Sequence, residues 1–241
     1  MQGVHFVYAD GHPALNGVDF TIHHGEAVGI VGANGAGKST LLLHLVGLLL
    51  ATEGMVRVGD CPVTPKTLVE IRRHVGFVFQ DPNDQLFMPT VAEDVAFGPL
   101  NQHLPEAEVD RRVKAALDCV GIAHLADRAP HRLSGGERRA AAIATVLALD
   151  PDILLLDEPS SALDPASRRR LIGWLSSFTH TRIIATHDLD LVLEVCPRTI
   201  VLQGGKVIAD GVTEELLADR GLLEGAGLEL PLRMQGWTPG R

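Results

Sequence analysis

Aromatic residues fill only 4% of the 241 positions, tyrosine occurs once and cysteine three times. Cys61, Cys119 and Cys196 are widely scattered and odd in number, which excludes a disulfide framework and a zinc site and leaves buried free thiols as the reading. Basic excess is also missing. Against 30 Asp and Glu stand 21 Lys and Arg, a formal charge of -9, and such a balance disfavours a protein that holds nucleic acid by neutralising phosphates. The longest apolar stretch, Leu41 to Ala51 with His44 inside it, is too short to cross a bilayer, which takes about 20 residues. A basic start followed by an apolar segment and a small-residue cleavage site is absent as well, so export is not expected and the cytosol is the expected compartment. Eleven histidines are present, but none pair at ligand spacing, and His23 and His24 fall in an apparent turn before Gly25. What is there suffices for a sizeable core: 46% of the chain is hydrophobic.

Short apolar runs alternate with helical patterns. Ala27 to Val31 precedes a helix after Lys38, Ile153 to Leu156 forms a second run, and Ile183 to Thr186 precedes a helix after His187. This is the rhythm of an α/β sheet with crossover helices. Between Gln80 and Asp150 the pattern becomes helical only, which predicts a helical lobe, about residues 81–150, inserted in the α/β core. Within it Pro105 opens a helix whose apolar positions Val109, Val113, Ala116, Leu117 and Val120 share one face, and Gly121 closes it. Thr199 to Gln203 and Lys206 to Ala209 flank Gly204-Gly205 and predict a β-hairpin. From about residue 213 a short tail follows, its last dozen residues expected to be loose.

Gly32-Ala33-Asn34-Gly35-Ala36-Gly37-Lys38-Ser39 fits G-x-x-x-x-G-K-[ST] between an apolar strand and a helix, the P-loop context. Glycines let successive N–H groups from Asn34, Gly35, Ala36 and Gly37 through to Thr40 wrap a phosphate, and the helix adds the positive end of its dipole. Lys38 is placed to neutralise the β- and γ-phosphates of ATP, and the Ser39 hydroxyl to hold Mg²⁺. The run ending in Asp157-Glu158 delivers two acids at the carboxyl end of a strand, where α/β sheets bind ligands. Asp157 suits the Mg²⁺ side. Glu158, read as the next strand residue and therefore pointing the other way, suits polarisation of an attacking water.

Leu133-Ser134-Gly135-Gly136-Glu137 reads as a capping box, S-x-x-E, at a helix start, and the two bare glycines make it an anion site as well. The order of these motifs resembles the ATP-binding cassette ATPases, over a span from Val4 to roughly Val212. The family signature LSGGQ is similar to Leu133 to Glu137, with Glu in place of the usual final Gln. The resemblance implies a P-loop NTPase with a RecA-like core, a small antiparallel β subdomain and an inserted helical subdomain, in all a single ATP-binding domain over 1–241. It also implies ATP hydrolysis in a head-to-tail dimer, a homodimer or one with a paralogue, in which Ser134, Gly135, Gly136 and Glu137 close over the ATP held by the partner's P-loop. On the same likeness Tyr8 is the adenine-stacking aromatic, Gln80 reaches Mg²⁺ and senses a membrane partner, Ser161 to Asp164 links the two sites, and His187 contacts the γ-phosphate. Members begin with a full strand before that aromatic, and here seven residues, Met1 to Val7, precede Tyr8.

Gln80-Asp81-Pro82-Asn83-Asp84-Gln85-Leu86-Phe87 looks like the Q-D-P-[DEN]-x-Q-[IL]-F segment of the energy-coupling-factor ATPases, which power import of transition metals and vitamins. An acidic segment after the nucleotide sensor suits a groove that receives cationic helix ends of a membrane protein. Tyr8 to Gly11, Pro13 to Leu15 and the ending around Ala226 to Pro231 resemble the cobalt and nickel branch, with vitamin uptake such as biotin as the alternative. The expected partners are a transmembrane coupling protein docking near Gln80 to Phe87 and a substrate-capturing membrane subunit, with the chain peripheral on the cytoplasmic face. Two rivals compete with transport. A soluble relative acting on DNA or the ribosome would carry a coiled-coil insertion or tandem cassettes, and neither is present. A non-hydrolysing regulator would lack Glu158 or His187.

Overall fold

The computed structural model describes residues 1–161 and 163–236, which form two compact units: Met1–Arg72 with Thr181–Arg241, and Arg73–His180.

The first unit opens with β1 (Gln2–Val7), β2 (Pro13–Val18), β3 (Ala27–Val31), α1 (Lys38–Leu45), β4 (Glu53–Met55), the short pair β5 (Arg57–Val58) and β6 (Cys61–Pro62), and α2 (Leu68–His74), which runs to the boundary. The residues before Tyr8 make a six-residue strand, antiparallel to both β2 and β4. All five residues of β3 are buried, as expected for a parallel strand covered on both faces.

The second unit carries β7 (Val75–Val78), α3 (Val91–Asn101), α4 (Glu106–Cys119), α5 (Gly135–Leu147), β8 (Ile153–Asp157) and α6 (Pro165–Ser177). Between its two strands there are only helices and helical turns. Helix α4 follows Pro105 and ends in a Schellman closure: Gly121 takes φ 75°, with Gly121 N–H on Asp118 O and Ile122 N–H on Leu117 O. Val109, Ala116 and Leu117 on its inner face are buried. Leu86, Val91, Val95, Leu133 and Ala141 join Ala116 and Leu117 in the core of the lobe, with Val113 and Val120 packed against it.

The chain then returns to the first unit through β9 (Thr181–Thr186), α7 (Leu189–Val195), β10 (Arg198–Gln203), β11 (Lys206–Val212), α8 (Thr213–Ala218) and α9 (Arg220–Gly225). Strand order there is β11-β10-β3-β9, parallel except for the β10–β11 hairpin. Gln203 faces Lys206 across Gly204 (φ 53°) and Gly205 (φ 73°), the two positive φ values that match hairpin twist.

Two expectations need correcting. The tail is tied down through Gln235: Leu232 N–H donates to Asp190 at 2.9 Å, and the Arg233 guanidinium pairs with Asp190 at 3.2 Å and Glu194 at 2.7 Å. Residues 237–241, also expected to be loose, lie outside the described residues. The cysteines are not uniformly buried. Cys196 is, and burial pushes its thiol up to about 12; Cys61 is half-buried, and Cys119, the last residue of α4, is exposed because it falls off the helix's core face.

Candidate functional site

In the first unit the phosphate loop joins β3 to α1. Gly35 (φ 80°) and Gly37 (φ 103°) occupy the left-handed region. A Cβ on Gly32 would sit 2.3 Å from Leu202 O, and one on Gly37 2.6 Å from Ala14 O, so the backbone packs where only glycine fits. Helix α1 starts at Gly37 with no side-chain cap, which leaves its first amides directed at the loop, the arrangement that binds a phosphate. Lys38 is 6% exposed, and its Nζ donates to Gly32 O at 2.9 Å and Ala33 O at 3.2 Å. Ser39 is half-buried and Thr40 buried. The Tyr8 and Thr40 hydroxyls bond at 2.9 Å, and the Tyr8 ring meets Phe6 edge-on at 4.9 Å, so the expected adenine aromatic stands at the loop. Val31 pairs with Thr186. Gly32 and the exposed His187 therefore leave neighbouring strands at the same end.

The second unit repeats that logic. Val78 pairs with Leu156 in parallel, so the exposed Gln80 and the acids Asp157 and Glu158, each 5% exposed, emerge side by side from strand carboxyl ends. Glu158 does not continue the strand as expected. Strand β8 stops at Asp157, and Glu158 takes φ 45°. A non-glycine residue in the left-handed region costs about 1–3 kcal/mol and marks a position held for a purpose.

Helix α5 begins with the expected capping box. Glu137 N–H donates to Ser134 Oγ at 3.3 Å, and Ser134 N–H to the Glu137 carboxylate at 2.7 Å. Those bonds hold the Glu137 carboxyl below the usual range, so the Glu that replaces Gln is absorbed by the helix start. Ser134 Oγ accepts from Glu137 N–H, and its hydroxyl also bonds the Glu137 carboxylate. Gly135 and Gly136 open the first turn, and a Cβ on Gly136 would meet Ser167 Oγ at 2.7 Å and Asp164 Oδ2 at 3.4 Å. Asp164 itself caps α6, accepting from Ala166 N–H, Ser167 N–H and the Ser167 hydroxyl, at 2.9, 3.0 and 2.6 Å, and the last of these bonds is the main cause that holds its carboxyl below the usual range. Ala162, inside the expected linking loop, lies outside the described residues.

A family profile described as "ABC transporter" matches residues 15–161. This chain belongs to the ABC transporter family. It is 62% identical over 229 residues to a protein of Geobacter sulfurreducens described as an ABC transporter ATP-binding protein, covering 95% of this chain and 92% of the relative. It is 44% identical to the energy-coupling factor transporter ATP-binding protein of Methanocaldococcus jannaschii, over 95% of this chain and 84% of that one. Among solved structures, cbiO1 of Clostridium perfringens, described as part of the ABC transporter complex cbiONQ, superposes with a TM-score of 0.81 at 38% identity, covering 93% and 92% of the two chains. A dimeric ATP-binding cassette bound to ADP and phosphate gives 0.80 at 31% identity, covering 88% and 97%. This ABC protein is thus an ATP-hydrolysing transporter subunit with the family's α/β fold.

Sequence reasoning missed three polar side chains of the second unit, the buried Arg139 and Asp94 and the half-buried Gln85. Arg139 was findable as a charge on the inner face of α5, three and four residues before the buried Ala142 and Ile143.

Proposed function

We propose that this chain powers an energy-coupling-factor importer for cobalt or nickel ions, acting as a single ATP-binding domain on the cytoplasmic face of the membrane. The observation that carries this reading is the segment after β7: Asp81, Asp84 and Phe87 are exposed beside Gln80. Phe87, 63% exposed, stacks edge-on against Phe97, 42% exposed, at 4.9 Å. An acidic rim around exposed aromatics suits a partner that presents cationic, apolar helix ends. Among the described residues no helix is long and apolar enough to cross a membrane, which is consistent with a separate membrane component.

In the proposed mechanism ATP seats its β- and γ-phosphates on the 34–40 amides and Lys38, with adenine on Tyr8. Ser134 and Gly136 of a second copy or a paralogue close over the γ-phosphate, with Asp164 at the seam. Glu158 accepts a hydrogen bond from water and orients it for in-line attack on the γ-phosphorus; the bond to the β-phosphate oxygen breaks, giving ADP and phosphate. His187 donates to the γ-phosphate in the closed state. Ser39, Gln80 and Asp157 offer hydroxyl, amide and carboxylate oxygens, a hard donor set with one buried carboxylate that fits Mg²⁺. When bound there, the ion neutralises phosphate charge. The lobe at about 81–150 then transmits movement through Gln80 to Phe87, and the tail from about 213 stays with the first unit.

The test is recovery of the tagged chain from its native membranes in detergent, with mass spectrometry of bound proteins. A polytopic coupling protein with a metal-capturing subunit is the expected result, and Asp84→Lys should lose both while binding ATP normally. A vitamin-capturing subunit would redirect the substrate. Recovery of soluble proteins or nucleic acid alone would overturn the transport role.

A further inference from the structure

Within the second unit, Arg139 and Gln85 both hydrogen-bond the backbone of Phe79, contacts that the mechanism above does not use. Arg139 lies on α5, five residues after Ser134, and is 3% exposed. Its guanidinium donates from Nη1 to Phe79 O at 2.6 Å and from Nη2 to Gln80 O. Coming the other way, the Gln85 amide nitrogen donates to Ala142 O and Thr145 Oγ1 on α5, both at 2.7 Å, while its oxygen accepts from Phe79 N–H at 3.2 Å. Both backbone groups of Phe79 are therefore held by side chains that belong to, or reach, the same helix. Two further fixings complete the segment. Leu86 is packed in the lobe's core, and the buried Asp94 carboxylate accepts from Phe87 N–H and Met88 N–H, both at 3.0 Å.

A buried guanidinium is an expensive way to fill space, because desolvation opposes its charge. Burial indeed lowers the Arg139 pKa, and the opposing influence comes from Asp157, Asp81 and Glu158. What arginine offers and an apolar side chain does not is a rigid planar fork that reaches two successive carbonyls at once. Those carbonyls belong to the residues that leave β7 directly beside Asp157, the last residue of β8, and Glu158, which follows it.

We infer that Arg139 is a positioning residue for ATP hydrolysis: with Gln85 it clasps the Phe79–Gln80 backbone to the signature helix, so that Gln80 and Ser134 move as one body. The inference rests on the roles proposed above for Gln80, Ser134 and Glu158. It differs from a hinge at Gln80, because a push on the segment 81–87 reaches α5 through two part-buried polar links instead of being absorbed by a loose strand end.

The test compares Arg139→Met, Arg139→Lys and Gln85→Leu in the full chain, reading kcat, KM, nucleotide affinity and backbone amide exchange. Misplacing a catalytic frame by about 1 Å costs on the order of 100-fold in rate, so Arg139→Met should lose about that in kcat. KM and ATP affinity should stay within about twofold, since the phosphate loop is untouched. Amides from Phe79 to Gln85 should exchange faster, and Arg139→Lys, with one remaining donor group, should recover about a tenth of the lost rate or more. Gln85→Leu keeps the arginine and should loosen the same amides with a smaller loss in kcat, so the inference stays testable if Arg139→Met does not fold. Wild-type kcat in a folded Arg139→Met, or a kcat loss in every variant without faster exchange at 79–85, would overturn the clasp. A Glu158→Gln control that hydrolyses at the wild-type rate would instead remove the mechanism on which the clasp depends.

Discussion

The two units build their proposed nucleotide-facing sites from different material. In the first unit the surface is backbone: Gly35 and Gly37 in left-handed conformations, Gly32 and Gly37 packed with no room for a Cβ, and a helix start without a side-chain cap. In the second unit the surface is side chains locked to one another: Ser134 with Glu137, Asp164 with Ser167, Arg139 and Gln85 with Phe79. The difference follows from what each must do. Holding a phosphate of fixed shape asks for preset N–H groups, which cost no side-chain entropy. Orienting water and closing over a nucleotide bound elsewhere asks for groups whose direction is set by neighbours, and that requires a network.

Predictions that break one side of this contrast at a time should separate binding from turnover. The largest effect is expected for Glu158→Gln, which keeps the left-handed turn but replaces the charged carboxylate that polarises the attacking water with a neutral, non-basic amide. Its kcat should fall by about 10²–10⁴-fold, the range for losing a general base, with ATP affinity intact in equilibrium binding. Gly37→Ala attacks the other side. Its Cβ meets the Ala14 carbonyl in a left-handed backbone worth about 1–2 kcal/mol of strain, so ATP affinity should drop at least about tenfold by titration. Amide exchange throughout 73–180 should stay unchanged.

Smaller effects sharpen the network side. Glu137→Ala opens the capping box and should cost about 1 kcal/mol of stability by denaturant melt. Because the Glu137 carboxyl is depressed by its Ser134 bonds, that contribution is present above the ordinary carboxylate value. It disappears as pH falls through the lowered folded value, so the mutant and the parent should converge in acid. Asp94 has the opposite sign. Burial raises its carboxyl, so the folded state prefers it protonated, and its stabilising contribution is lost as pH rises through the raised value. The stability of Asp94→Asn relative to the parent should therefore improve as pH rises from the ordinary carboxylate value through the raised folded one, read by denaturant melts across that range.

The same contrast explains which parts of the fold and the site are legible in the sequence. Glycine spacing writes a backbone device directly into the chain, so Gly32 to Ser39 and its flanking strand and helix can be read there. The capping box at Ser134 and Glu137, the hairpin at Gly204-Gly205 and the helix from Pro105 to Gly121 are legible for the same reason, since each is a local pattern. The roles of Arg139 and Gln85 are not: helix periodicity marks Arg139 as a charge on an inner face, but the groups that the two side chains bond across the lobe lie 59 or 60 and 57 or 60 residues away, and no local spacing names them. Glu158 is placed correctly in order but not in conformation: period-two alternation extends a strand by default, and only the fold shows the chain turning after Asp157.

The central claim is that the set carried by the first unit of one copy meets the set carried by the second unit of another when ATP is bound. The most direct measurement is the mass of Glu158→Gln in solution by light scattering, with and without ATP. The account predicts a doubling of the 25.8 kDa mass with ATP, reversed by adding Ser134→Glu, which sets a carboxylate against the γ-phosphate. A chain that binds ATP and remains a single copy would contradict closure between two copies of this protein.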